Sequence, residues 1–379
     1  MIVRIFAAIL LLLGVSSVQA QDSWTAWIYN DGQLHLVNPF GETSATIAIE
    51  LNPAFNSISQ QVAVSSSGRY VAYIAWDNLL EAPNRQLFIY DVAVRSDVAG
   101  YPLPQSALTL NFEFYPTATM FDEAHNRAAF SYFMDDPNTH EIGWEIVVID
   151  YQIDTVIEKL SYQNTPAQIV DNDYIVPAIY AFDGQHIRFG GMTYEASNMA
   201  TYPAYEWDYQ ADTVTRIEDS FHQHGDTFPA TGEHAYAMND AQFETPNANI
   251  TNVVKVDGIT VYHTPDHHIF SVDFIQNGER LLIGERSLDN INFWHVLDRD
   301  GSIVSTLQGA FLSPRIDATK DGFVALDGNT LFYVETRIGE FTARNVWNNA
   351  SMGIPSLVLV QANALPSESY APWTPLESS

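Results

Sequence analysis

The stretch Ile146-Val147-Val148-Ile149-Asp150-Tyr151-Gln152-Ile153-Asp154-Thr155-Val156 decides how the chain is read. A short β-branched run ends on an acid, a polar turn follows, and β-branched residues resume. That is the pattern of two strands joined by a tight turn, with no 3.6-residue period. Its second half returns as Tyr209-Gln210-Ala211-Asp212-Thr213-Val214. Upstream, Asp122 to Arg127 stands opposite Tyr180 to Gln185 at the same offset of about 58 residues, so the chain carries an internal repeat.

The run ending on Asp150 belongs to a series: Leu34 to Asn38, Leu87 to Asp91, Ile146 to Asp150, Tyr205 to Asp208, Val253 to Asp257, Phe293 to Asp298 and Leu331 to Glu335. Its members lie about 50 residues apart, and each reads as the third strand of a four-stranded unit. The closing acids read as turn chemistry, because a short polar side chain caps the backbone of the turn that follows. A second turn, ahead of the second strand, recurs around Gly68, Asn126, Gly184, Gly232, Gly278 and Gly322. Four short strands per repeat is the pattern of a β-propeller blade. Trp24 to Glu50 supplies only three strands. The strand Pro355 to Val360 is expected to complete that sheet and close a ring of seven blades, with six or eight the alternatives, leaving no open edge. The chain is thus expected to be all-β, with a propeller over residues 21–362 and a tail over 363–379.

Residues 1–20, MIVRIFAAILLLLGVSSVQA, read as a secretory signal peptide. One arginine precedes an apolar run too short to span a bilayer, and Val18-Gln19-Ala20 is a small-x-small cleavage site. The chain is therefore expected to be exported to the periplasm or beyond the cell, without a membrane span once the signal is removed. It holds 46 acidic and 16 basic residues, net −30, and no cysteine. That charge repels phosphate backbones and argues against nucleic acid as a partner. The absence of cysteine excludes disulfides, thiolate nucleophiles and thiolate-held metals. Core packing must stabilise the fold alone, which a chain this long can manage as a monomer.

The segment Val64-Ser65-Ser66-Ser67-Gly68-Arg69-Tyr70-Val71-Ala72-Tyr73, followed by Leu87-Phe88-Ile89-Tyr90-Asp91-Val92, resembles the repeat of TolB-like and other WD40-like propellers. That repeat reads roughly S-x-D-G-x-x-I-A-[FY], then a strand closing on Tyr-Asp. Ser67 stands where the family has aspartate, and the other copies keep little beyond the turn glycine. The resemblance implies an exported propeller. It implies no activity, because propellers host enzymes, receptors and scaffolds alike.

The resemblance also implies that loops between second and third strands share one face with the segments joining blades. On that face the sequence places Trp76, Asp77, Asp135, Asp136, His140, Glu141 and Tyr202 as a ligand-binding set. Acids mixed with aromatics suit cations, sugars or basic peptides. Two histidine-bearing segments, His222-Gln223-His224-Gly225-Asp226 and His263 to His268, read as neighbouring blade joins. Imidazoles beside carboxylates make His222, His224, Asp226, His267 and His268 candidate ligands for a divalent metal such as zinc, with calcium the alternative for the acidic loops. No H-E-x-x-H, G-x-S-x-G or phosphate-binding loop is present in the exported part. The leading expectation is a protein- or peptide-binding or scaffold module of the cell envelope or extracellular space, with no cofactor and no catalytic residues. The alternative is a metal-assisted hydrolase of glycosides or phosphoesters working through the acidic and histidine loops.

Overall fold

A computed structural model describes residues 24–30, 32–38, 40–49, 52–58, 62–65, 67–77, 84–104, 107–110, 120–135, 142–162, 175–193, 201–222, 225–228, 231, 233–239, 251–308, 315–318, 322–327, 330–335, 342–348 and 356–361. Residues 1–20, expected to be a signal peptide, and residues 363–379 lie outside them. The described residues form seven antiparallel sheets. In chain order, the blades span residues 24–48, 57–102, 107–161, 175–222, 225–263, 267–308 and 315–348. In blades 2 and 3 the first strand is split into two short pieces that pair with one partner. The first strands of neighbouring blades meet: Arg315–Ala318 touches both His267–Ile275 and Ser356–Gln361, which puts first strands at the ring axis. The chain is a seven-bladed β-propeller.

Closure occurs in blade 1. Ser356–Gln361 pairs with Trp24–Asn30 in the register Trp27↔Val358 and Ile28↔Leu357. The C-terminal strand thus becomes the innermost strand of the sheet that the N-terminal residues begin, as expected. All seven members of the series closing on Asn38 to Glu335 stand third in their sheets.

Near-continuous apolar runs form these inner strands because each blade is covered on both faces. In Ile142–Asp150, Val147 and Ile149 pack toward blade 2, whereas Trp144, Ile146 and Val148 pack toward blade 4. The outermost strand Thr155–Ser161 has no such cover, and most of it is exposed. The strand-end acids do cap turns. Oδ1 of Asp91, Asp150 and Asp208 accepts backbone N–H groups two and three residues on, and Asn38 Oδ1 accepts those of Phe40 and Glu42, two and four residues on. Asp257 instead accepts from the His234 backbone, and Asp298 from Arg280. The two matched segments are equivalent turns of blades 3 and 4, with Asp154 and Asp212 both left-handed. Gly68 is needed at its turn: φ is +72°, and a Cβ there would stand 2.7 Å from the Trp27 indole of the preceding blade.

Candidate ligand-binding face

First strands start, second strands end, third strands start and fourth strands end at the same side of the ring. This is the loop face. Trp76 ends the second strand of blade 2, half-buried against the core, and the next residue, Asp77, accepts a hydrogen bond from Asn56 Nδ2 at 2.8 Å. Asp135 ends the second strand of blade 3, Tyr202 lies at the start of the third strand of blade 4, and His222 ends its fourth. The backbones of these residues therefore reach the loop face; their side chains lie outside the described residues. Asp136, His140, Glu141 and His224 lie outside them altogether.

The histidine-rich segments divide. His267 and His268 open the first strand of blade 6 at the loop face. Asp226 does not join them. It lies in Gly225–Thr227, the first strand of blade 5, beside the turn at the opposite side of the ring, and its Oδ2 accepts the Phe274 backbone N–H. Phe274 is seven residues along the strand from His267, roughly 20 Å at the usual rise per residue. Asp226 is therefore not in a blade join, as its sequence context suggests. His268 is also committed: its Nδ1 lies 2.8 Å from Thr251 Oγ1 and 3.3 Å from the Thr251 backbone nitrogen. Burial, with Arg286 nearby, lowers its pKa and favours the neutral ring. Among the described residues, no three His, Asp or Glu side chains are grouped to hold a metal.

The polar constellation at this face centres on Glu285, which no sequence motif singled out. It lies in the second strand of blade 6, Arg280–Ser287, with Leu281 and Ile283 on the same face, and its side chain is wholly buried against blade 5. His267 Nδ1 lies 2.6 Å from Glu285 Oε2, and His295 Nε2 lies 3.7 Å from the same oxygen. Tyr262, from the outermost strand of blade 5, faces the same carboxylate. Burial pushes the Glu285 carboxyl upward, but contacts with His295, Tyr262 and His267 outweigh it and hold the pKa below its usual range. An ionised carboxylate only accepts, so the proton of the short contact sits on His267 Nδ1. Glu285 Oε1 is buried with no hydrogen-bond partner among the described residues. Rings brace the cluster: His267 stacks on Phe293 at 4.9 Å and 9°, and Phe293 lies parallel to His295 at 2°. His295 Nδ1 is held by Thr306 Oγ1 at 2.8 Å. The signal that could have revealed Glu285 is its phase, since strand alternation puts this acid among core positions.

No protein-family model and no curated protein sequence matches the chain. Its fold does match solved structures. An uncharacterised Listeria monocytogenes protein is 13% identical with a TM-score of 0.51, covering 88% of this chain and 94% of that one. A prolyl endopeptidase is 12% identical with a TM-score of 0.54, covering 85% of this chain but 50% of its own, so the present chain spans about half of that enzyme. TolB from Acinetobacter baumannii is 14% identical with a TM-score of 0.37 over 74% of this chain and 62% of TolB. At these identities the likeness concerns the propeller fold.

Proposed function

We propose that this protein is an exported binding module that engages a protein or peptide ligand through the loop face of its propeller. The observation that carries the reading is the closed ring, which brings second-to-third-strand loops and blade joins to one side. Such a convergence builds a broad surface from segments free to vary without disturbing the core. The net charge of −30 would steer basic ligands toward it. Export rests on residues 1–20; amino-terminal sequencing of the protein from cell fractions is expected to begin at Gln21, and retention of Met1 in the cytoplasm would oppose it. Crosslinking in living cells is expected to recover one reproducible partner. Recovery of none, together with a divalent-metal-dependent turnover of glycosides or phosphoesters lost in His222→Ala and His224→Ala, would replace binding with hydrolysis.

A further inference from the structure

The Glu285 cluster ends at an exposed corner of blade 6. His267 and Ser287 are directly paired across the first two strands. Ser287 opens the turn Leu288-Asp289-Asn290-Ile291, which is tightly held. Asn290 N–H donates to Ser287 O, Ile291 N–H to Ser287 Oγ, and Ser287 N–H to Ile291 O, with Asn290 in the left-handed region at φ 63°. This fixed turn projects two large apolar side chains, Leu288 at 63% and Ile291 at 40% exposure. Beside them the His267 side chain is 27% exposed. Its Nδ1 is turned onto Glu285 and its ring is stacked on Phe293, and its Nε2 has no hydrogen-bond partner among the described residues. Asp266 and Asp289 are exposed at the corner's edge. The nearest basic side chain in this strand pair, Arg286, is paired with His268 on the other side of the sheet, where its guanidinium lies over Phe270.

A buried carboxylate costs several kcal/mol to desolvate and is weak evidence for stability. Here its geometric consequence is a fixed ring orientation: Nδ1–H is directed onto Glu285, and in the neutral ring the lone pair falls on Nε2. Resting on the binding-module reading above, we propose that this corner is the docking site for a basic peptide segment. The His267 Nε2 lone pair accepts a hydrogen bond from a lysine or arginine side chain, Leu288 and Ile291 pack against the segment's apolar side chains, and Asp266 and Asp289 supply the complementary charge. Glu285 is a positioning residue that acts through His267.

The probe is a fluorescein-labelled peptide Lys-Leu-Lys-Leu-Lys-Leu, compared by anisotropy with Glu-Leu-Glu-Leu-Glu-Leu on the full exported chain. The basic peptide is expected to bind and the acidic one not. His267→Gln, which leaves the net acidic excess intact, is expected to weaken binding about tenfold, as loss of one charge-assisted hydrogen bond would. The double variant L288S/I291S alters only exposed side chains, so it keeps the test valid should His267→Gln fold poorly; a similar loss is expected. Two-bond proton–nitrogen NMR of histidine-labelled protein is expected to report the Nδ1–H tautomer at His267, and mixed tautomers in Glu285→Met. Equal binding of both peptides, binding of neither, or undiminished basic-peptide binding in L288S/I291S would each overturn the proposal. A partner crosslinked in cells that L288S/I291S still captures would remove this corner while leaving the binding-module reading in place.

Discussion

Two blade boundaries solve one problem with different chemistry. Between blades 2 and 3, Tyr101 of an outermost strand meets the Tyr132 hydroxyl at 3.3 Å, and Tyr132 donates to Glu145 of blade 3. Between blades 5 and 6, Tyr262 of the equivalent strand reaches Glu285 of blade 6. Both tyrosines lie near the loop-face ends of their strands, and each carboxylate belongs to the following blade. The difference lies in the counter-charge. Lys159 donates to Tyr101 at 2.6 Å with its ammonium 3.9 Å from Glu145, and that pair is partly in water, at 42% and 22% exposure. Glu285 is sealed and is faced by imidazoles instead. The first arrangement can lose its partner to solvent cheaply. The second cannot, because an unpaired buried carboxylate has no water to return to.

Removing one partner on each side tests that contrast most strongly. His267→Ala is expected to lower unfolding free energy by about 3 kcal/mol, read by urea denaturation, because it removes the 2.6 Å donor to the buried Glu285 carboxylate. Acid is the next probe. The Glu285 pKa is depressed in the folded state relative to an unfolded value of about 4.3, so the unfolded chain takes up this proton first as pH falls. Its contribution is therefore present above that value and lost as pH falls through the folded one. The stability difference between wild type and Glu285→Met should narrow accordingly between neutral and strongly acid pH; a gap that widens would contradict the depressed value.

Replacing the pair at once should cost much less than breaking it. The double variant H267F/E285M fills the same space without charge and is expected to lie within about 1 kcal/mol of wild type by the same denaturation. The smallest effect belongs to the other boundary. Lys159→Ala is expected to cost about 0.5 kcal/mol, in the range of exposed ion pairs. A loss matching that of His267→Ala would mean that the two boundaries are not distinct in kind.

Much of the fold was legible because blade chemistry is local. Asp150 and Asp208 each cap the turn beside them, Gly68 takes a backbone conformation costly for other residues, and Leu34 to Asn38 reads as a third strand before any contact is known. Closure was legible too, since three N-terminal strands lacked a partner and one apolar run remained at the far end. Asp226 reads as part of the join after His222 because the first strand of blade 5 is three polar-flanked residues, too short to show alternation. Glu285 carries no motif of its own, because a single acid within a strand looks like any of the 46 acidic residues in the chain.

The sequence by itself determined the repeat, the strand that closes the ring, the turn-capping role of Asn38, Asp91, Asp150 and Asp208 and the acidic surplus, because each follows from neighbouring residues or composition. The tertiary structure alone decided that Tyr262, His267, Glu285 and His295 meet, that Asp226 stands apart from them, and that His267 faces the loop side with its Nδ1 occupied. Those facts depend on how one blade packs against the next. Packing sets burial, and burial gives a carboxylate and an imidazole a chemistry that neither residue has in the chain alone.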